Sequence, residues 1–360
     1  MRLPIVPILL LTAAPALAAD TRTVVLAASR SGRIEAYNPS DLRLSGTIAV
    51  NHGVESISVS PDGHTLYVAQ ESSHTVGCCA LFSLSLESHD MCSFASKGMF
   101  AVPSPDGRFL FTQGLRGVTL FDAVNLTGLA EMRASGTYNL QPSPDGEWLI
   151  GITNSPKPSL DVFDLKMHNL DHQLAVPAGP ITGAWAGGKL QIINYQPPDT
   201  LQLWTVTADY DKLGEPKVLQ FPDLHGACNE PVLLMVAGTR DRLFLAEAFG
   251  YKMDRRHACP GIRAGGIYSI DPDSRTMRRI APSVQVNRMA ASPDGRDLYV
   301  LEAGGTTKKE SIRLLRLDAR SGEILATAAL EPDDWSLLSA RIPYDLTPRG
   351  YVRAGIGCSH

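Results

Sequence analysis

Four copies of the tetrapeptide Ser-Pro-Asp-Gly, each followed by a short apolar run, constrain the fold of this chain more than any other feature. The copies begin at Ser60, Ser104, Ser143 and Ser292. Proline presets the backbone at the first corner of a turn, and Asp-Gly supplies a side-chain acceptor and a permissive backbone at the next. Each copy is therefore predicted to be a tight turn between two β-strands.

The spacing of the copies predicts a repeat of about forty residues with four short strands. Between Ser143 and Ser292 there is room for two degenerate repeats, which we place at Ile181–Leu219 and Pro231–Arg278. The first repeat begins at Thr23 with what aligns as a second strand, so Tyr344–Gly350 is expected to supply its missing strand. We therefore predict an all-β, seven-bladed β-propeller closed by pairing of the N- and C-terminal strands, which leaves no free sheet edge at the closure. A pair of β-sandwiches is the alternative.

The chain begins with features of an export signal. Residues 1–18 contain Arg2, a short apolar run and Ala16-Leu17-Ala18, which is typical of a cleaved secretory signal peptide. We expect residues 19–360 to form a single propeller domain that is secreted into the periplasm, with no membrane span. The net charge of -4 lacks the basic excess of nucleic-acid-binding proteins, so no nucleic-acid partner is expected.

Two resemblances follow from these motifs. The turn followed by Leu66-Tyr67-Val68-Ala69 resembles the SPDG or YVTN-type propeller repeat of secreted bacterial proteins. The segment Thr239–Ala246, the basic cluster Arg255-Arg256-His257 and Ile267–Asp271 together resemble late blades of amine dehydrogenase heavy chains. That resemblance implies a seven-bladed periplasmic subunit that supports a small quinone-bearing subunit and does not carry the cofactor itself.

Residues just before each first strand are expected near the mouth of the central channel. Aligning the repeats places there His52, Glu55, Asn139, His225, Asn229, Glu230, Asn287 and Arg288. Such carboxylates, imidazoles and amides are suited to a small polar ligand. The structural alternative is that they only hydrogen-bond strand ends and channel water.

Loop length distinguishes the two faces of the predicted ring. Loops between second and third strands are long at Glu71–Cys79 and longest at Ala248–Gly266. Long loops on a rigid scaffold often carry binding, so a protein partner is expected on this face. The candidate contacts in the longest loop are Tyr251, Arg255, Arg256 and His257; tolerated surface insertions are the alternative.

Six cysteines in an exported chain predict disulfides. We expect Cys228 to pair with Cys259 across the longest loop. Cys78 and Cys79 are candidates for a vicinal bridge, Cys79 and Cys92 for a hairpin bridge, and Cys358 for a partner in the second blade. The spacing of Cys228, Cys259, His225 and His257 matches no compact zinc module, so no metal is predicted.

The sequence lacks the local motifs of serine hydrolases, zinc proteases and P-loop enzymes. The prediction is a binding or supporting subunit, in the form of an amine dehydrogenase-like redox complex if the second resemblance holds. The alternative is a lactonase-like hydrolase at the channel mouth, built from Glu55, His225, Glu230 and Arg288. Catalytic residues and cofactor stay unassigned, because propeller sites are assembled from distant blades.

Overall fold

The computed structural model describes residues 22–355, except for residues 51–52, 72–78, 87–90, 98–99, 115–116, 134–137, 154–156, 180, 197–199, 221–233, 240, 248–265, 275, 303–311, 332–334 and 343–353. Every regular element in this part of the chain is a β-strand. The strands form seven sheets, which we call blades and number from the N-terminus, and all but one of the described strand pairs are antiparallel.

Blades 1 to 3 contain the first eleven strands. Blade 1 contains β1 (Arg22–Ser29), β2 (Arg33–Tyr37) and β3 (Leu44–Ala49). Blade 2 contains β4 (Val54–Val59), β5 (Thr65–Glu71), β6 (Cys79–Ser85) and β7 (Met91–Lys97). Blade 3 contains β8 (Phe100–Pro103), β9 (Phe109–Gly114), β10 (Gly117–Asp122) and β11 (Gly128–Arg133).

Blades 4 to 7 repeat the same four-stranded order. They contain β12 (Tyr138–Pro142), β13 (Trp148–Thr153), β14 (Ser159–Asp164) and β15 (Asn169–Ala175); β16 (Ile181–Ala186), β17 (Lys189–Gln196), β18 (Thr200–Thr205) and β19 (Lys217–Gln220); β20 (Leu234–Gly238), β21 (Leu243–Glu247), β22 (Ile267–Asp271) and β23 (Thr276–Ala281); and β24 (Val286–Ala291), β25 (Asp297–Glu302), β26 (Ile312–Asp318) and β27 (Ile324–Leu330). Two C-terminal strands follow, β28 (Trp335–Ile342) and β29 (Ala354–Gly355).

The C-terminal part of the chain closes the ring. Strand β28 pairs antiparallel with β1 along its full length, from Arg22 opposite Ile342 to Ser29 opposite Trp335, and so becomes the inner strand of blade 1. The inner strands then contact one another in a closed cycle, β28, β4, β8, β12, β16, β20, β24 and back to β28. The molecule is a seven-bladed β-propeller closed by its N- and C-terminal strands, as predicted.

The position of the closing strand differs from the sequence-based expectation. We expected Tyr344–Gly350 to supply it, and this was wrong, because Trp335–Ile342 occupies that place. In other blades the inner strand begins a few residues after the preceding outer strand, as Val286 follows Ala281. The same short connection leads from Leu330 to Trp335. Tyr344–Gly350 itself lies outside the described residues.

The hydrophobic core is divided among the seams between blades. Seven clusters of buried side chains lie one to each seam of the described structure. Alternate residues of one strand face opposite seams: Leu26 of β1 packs toward blade 2, whereas Val25 packs toward blade 7. Because both faces of each blade are covered, the second strands appear in the sequence as continuous apolar runs.

The two degenerate repeats were placed correctly. Blade 5 spans Ile181–Gln220 and blade 6 spans Leu234–Ala281, close to the predicted ranges. Both lack the Ser-Pro-Asp-Gly turn. Blade 5 replaces it with Gly187-Gly188, two glycines of positive φ (61° and 69°) that suit a two-residue hairpin.

Candidate functional site

The chain connections separate into two kinds on opposite faces of the ring. The face that carries the connections from first to second and from third to fourth strands is called the turn face. The opposite face carries the connections from second to third strands and from blade to blade, and is called the long-loop face. On it, β21 ends at Glu247 and β22 begins at Ile267, whereas β9 and β10 are separated only by residues 115–116.

The four Ser-Pro-Asp-Gly turns on the turn face are closed by their own hydrogen bonds. In blade 2 the Gly63 amide donates to the Ser60 carbonyl at 2.8 Å, and the Thr65 amide donates to Ser60 Oγ at 2.9 Å. The same amide-to-carbonyl bond closes the other three copies, at Gly107, Gly146 and Gly295. These polar atoms are therefore used within the fold.

Neighbouring turns also contact one another around the turn face. The Arg108 guanidinium ion-pairs with Asp106 in its own turn and donates to the Gly146 carbonyl of the next blade at 3.2 Å. Between blades 6 and 7, Gly295 lies against Thr239. The hydrogen bond from the Ser292 hydroxyl holds the pKa of the Asp294 carboxyl below its ordinary value. Such carboxylates are charged structural acceptors.

A repeated polar position lies near the long-loop face. In every blade the first residue of the inner strand pairs with a polar residue near the end of the second strand: Ser29, Gln70, Gln113, Thr153, Asn194, Glu247 and Glu302. We call this set the polar layer. The five members whose side chains the structure describes are buried: Ser29, Gln113, Thr153, Asn194 and Glu302.

The polar layer holds the loops of this face. Asn194 Nδ2 donates to the Pro177 carbonyl at 2.9 Å, which ties blade 5 to the connection that enters it. Ser29 Oγ accepts from the Arg33 amide at 3.1 Å, and Glu302 forms an ion pair with Arg313. Buried polar groups need such partners. Three connections on this face are therefore held at their bases by polar contacts of the layer.

Two inner strands carry β-bulges at the same position, beside the channel mouth. In β4 the register shifts between Val54 and Ser56, so that Glu55 is the extra residue. In β24 it shifts between Val286 and Arg288, so that Asn287 is the extra residue. Bulges re-aim side chains and are frequent beside functional sites. The two bulged blades flank blade 1.

The described channel-mouth candidates divide into two groups. Asn287 is buried, and its carbonyl and Oδ1 accept bonds from Arg288 Nη1 at 2.9 and 3.1 Å. Arg288 and Asn139 are exposed on the inner strands of blades 7 and 4. The Asn139 Oδ1 atom accepts from Gln141 Nε2 at 2.8 Å. This end of the channel thus presents an arginine and an amide to solvent.

The other predicted contacts lie largely outside the described residues. His52, His225, Asn229, Glu230, Tyr251, Arg255, Arg256 and His257 are outside them, and Glu55 is described only as part of β4. Their roles stay predictions. In the described part of the chain, no three His, Cys, Asp or Glu side chains are grouped so that they could hold a metal ion. No described helix is long and apolar enough to cross a membrane.

Strand register bears on one cysteine pairing. Cys79 lies opposite Glu71, and Cys92 lies opposite Ser83. This offsets the two cysteines by roughly 13 Å along the hairpin, whereas bridged Cα atoms are about 4.4–6.8 Å apart. The register argues against a Cys79–Cys92 disulfide. Cys78, Cys228, Cys259 and Cys358 lie outside the described residues, and their pairings stay predictions.

A second C-terminal strand reaches the outer edge of blade 2. Strand β29 pairs in parallel with β7, with Ala354 opposite Met91 and Gly355 opposite Cys92. Blade 2 therefore has five strands, and its outer edge is paired at Met91 and Cys92. The sequence analysis did not predict this strand, because a two-residue strand has no detectable periodicity.

Comparison with known structures places the chain in the class of seven-bladed β-propellers. It resembles a chain of Kuenenia stuttgartiensis hydrazine synthase with a TM-score of 0.55 and 16% sequence identity, covering 74% of this chain and 76% of that one. It also resembles a chain of a mitotic checkpoint complex with a TM-score of 0.56 and 15% identity, covering 77% and 84%. At these identities the likeness concerns the fold. The sequence matches no protein-family model and no curated protein.

Sequence reasoning missed the polar layer, although the signal for it is present. Each apolar second strand has a polar residue near its end, as in Ala27-Ala28-Ser29 and Ile192-Ile193-Asn194. Read one at a time, such residues only mark the end of a strand. Aligned across the seven blades, they mark a layer.

Proposed function

We propose that this chain is an exported periplasmic propeller that acts as a binding or supporting subunit through its long-loop face. The observation that carries the proposal is the difference between the two faces. On the turn face, the four Ser-Pro-Asp-Gly turns are short and use their own polar groups. The long-loop face combines the longest connections with exposed Arg288 and Asn139.

The polar layer supports a binding role for this face. Binding is most precise where contact residues stand on rigid elements. Asn194 and Ser29 form hydrogen bonds at the bases of two connections on this face. These bonds restrict the backbone there, so binding would cost little conformational entropy at these positions. The inner-strand bulges at Glu55 and Asn287 lie at the same end of their strands, and bulges are frequent beside functional sites.

A redox complex is the specific form of this proposal. The resemblance of Thr239–Ala246 and Ile267–Asp271 to amine dehydrogenase heavy chains supports it, and these segments lie at β20–β21 and in β22. In this form the partner carries the cofactor. The visible absorbance of that cofactor would appear in the captured complex and would be absent from the propeller alone.

The test is capture of a stoichiometric partner from the periplasm by the tagged protein, compared among three variants. Deletion of residues 251–263 and the charge reversal Arg288→Glu are expected to abolish capture. Arg43→Glu is the matched control, because Arg43 is 87% exposed on the turn face. Equal capture by all variants would contradict the use of the long-loop face. A lone protein that hydrolyses lactones, and loses turnover in Glu55→Gln, would replace the proposal with the hydrolase alternative.

A further inference from the structure

A recurring contact joins neighbouring blades on the turn face. In each case a cationic or ionisable side chain of one blade reaches a backbone carbonyl in the next blade's turn between third and fourth strands. The pairs are His172 to Tyr210, Lys217 to Pro272, Arg278 to Arg320, and Arg316 to Ser40. They occupy the four consecutive seams from blades 4 and 5 round to blades 7 and 1.

His172 differs from the other three because its charge depends on pH near neutrality. Its Nε2 lies 2.9 Å from the Tyr210 carbonyl oxygen, and its Nδ1 lies 2.7 Å from Asp171 Oδ2. A carbonyl and a carboxylate can only accept hydrogen bonds, so both ring nitrogens must donate. A neutral imidazole donates from one nitrogen only. Both contacts are therefore satisfied together only by the protonated ring.

The surroundings of the ring favour the same state. Burial lowers the pKa of His172, but hydrogen bonds to Asp171 and to the Tyr210 carbonyl and the charges of Asp171 and Asp211 outweigh it, so its pKa is raised. The turn from blade 5 also carries Asp209 and Lys212, and the residue opposite His172 on β14 is the apolar Val162. The side chain of His172 is 27% exposed, so solvent protons reach it.

The turn that His172 holds is the longest connection between third and fourth strands on this face, between Thr205 and Lys217. Tyr210 in this turn has a φ of 60°, unusual for a residue with a side chain. Its buried ring packs at 5.9 Å from Trp148 and 6.3 Å from Trp185. The histidine contact thus fixes a strained turn whose aromatic ring fills the seam.

The same seam contains buried polar atoms that the described protein does not satisfy. Within the described residues, Trp185 Nε1, Trp204 Nε1 and Gln202 Oε1 are buried and have no hydrogen-bond partner. Trp185 and Trp204 belong to the apolar cluster between blades 4 and 5, and Gln202 lies two residues from Trp204 on the same side of β18. Entry of water would satisfy these atoms, which lowers the cost of opening this seam.

We propose that the seam between blades 4 and 5 is a pH-responsive latch, fastened by protonated His172 and loosened when that histidine loses its proton. Lys217, Arg278 and Arg316 keep the next three seams fastened over the same pH range, because their charges do not titrate near neutrality. The change is therefore confined to one seam of the ring. This inference is independent of the partner proposed above.

Tryptophan fluorescence provides the test, since Trp148, Trp185 and Trp204 are three of the four tryptophans and all lie at this seam. Quenching by acrylamide is expected to increase as pH rises, in one titration step above the ordinary histidine pKa of about 6.5. His172→Gln should remove the step, because a glutamine amide does not titrate. His172→Lys should remove it and show low quenching, since lysine reproduces the contact of Lys217.

The control is His64→Gln, which changes an exposed histidine on the turn face of blade 2 and should keep the wild-type step. A wild-type curve without a step, or a step that survives in His172→Gln, would overturn the proposal. If His172→Gln does not fold, the Asp171→Asn variant tests the proposal instead. Loss of that carboxylate should move the step to lower pH, and an unmoved step would overturn the latch equally.

Discussion

Arg316 and Asp297 form a two-bonded ion pair within blade 7, with Nε to Oδ1 at 3.0 Å and Nη2 to Oδ2 at 3.2 Å. The remaining Nη1 donates to the Ser40 carbonyl of blade 1 at 2.7 Å. One guanidinium group therefore links blade 7 to blade 1, the blade that contains both β1 and β28. In the same seam, Tyr299 Oη lies 3.4 Å from the Pro39 carbonyl.

Loss of this arginine is expected to weaken the closing seam. Arg316→Ala leaves the carboxylate of Asp297, which is only 16% exposed, without its partner. Hydrogen bonds to charged groups contribute about 1.5–3 kcal/mol each, so the free energy of unfolding should fall by roughly that amount. Urea denaturation measures it. Arg43→Ala is the control, because Arg43 is an exposed arginine beside Asp41 and should change little; an equal loss in both variants would contradict the role of Arg316.

Two turn glycines offer a matched comparison of crowding. Gly107 and Gly146 have φ values of 73° and 70° in equivalent turns. A Cβ at Gly107 would meet only Pro61 Cδ at 4.0 Å, whereas a Cβ at Gly146 would overlap the Asp106 carboxylate. Gly107→Ala should therefore lose about 1–2 kcal/mol of stability from its backbone conformation alone. Gly146→Ala should lose more, because Ser104 and Arg108 hold that carboxylate in place; thermal unfolding that ranks them the other way would refute this packing.

Acid is expected to destabilise the turn face. Bonds from the Ser274 backbone amide, the Ser321 backbone amide and the Ser292 hydroxyl lower the pKa of Asp271, Asp318 and Asp294 respectively. A carboxyl whose pKa is lower in the folded state stabilises the fold above its unfolded pKa of about 3.9. That contribution is lost as pH falls through the lower, folded value. Unfolding midpoints measured from neutral pH into acid should therefore decrease.

A substitution isolates this effect at one turn. Asp318→Asn keeps a side-chain acceptor for the Arg320 and Ser321 amides but removes the charge. Its stability should depend less on pH in acid than that of the wild type. Identical pH curves for the two proteins would show that Asp318 does not contribute to the acid sensitivity.

Two truncations distinguish the role of β28 in closing the ring from the role of β29 at the outer edge of blade 2. A chain that ends at Ile342 retains β28 and loses β29, so it should fold as a closed ring with the outer edge of blade 2 exposed. A chain that ends at Glu331 lacks β28 and leaves β1 unpaired on its inner side. It should be insoluble or open to proteolysis because of that free edge. Circular dichroism and limited proteolysis distinguish the two, and a compact, protease-resistant chain ending at Glu331 would disprove closure by β28.

The fold could be predicted from the sequence because its signals are local and repeated. A proline, an aspartate and a glycine fix a turn without help from the rest of the chain, and four copies establish the period. The closing strand carries no such turn, so Trp335–Ile342 was overlooked in favour of Tyr344–Gly350. Its assignment depends on pairing with Arg22–Ser29 across nearly the whole chain, which no local pattern records.

The candidate site could be predicted only in outline. The alternation of strand direction decides on which face each connection lies, so the face with the longest loops could be recognised from the sequence. The bulge at Asn287 and the burial of Asn194 depend on contacts between strands, and neither has a signature in its own segment. The His172 contact joins residues of two blades, so its geometry became visible only once the blades were side by side.

The pairing of β1 with β28 also determines when the molecule can finish folding. In chain order β1 precedes the other described strands, whereas β28 follows all of β2 to β27. Until β28 pairs with β1, blade 1 has three strands and the ring has an open side. Blades 2 to 7 can form from local contacts, whereas closure needs a contact between strands that are about 300 residues apart in the sequence. Closure of the ring is therefore expected to be a late and slow step of folding.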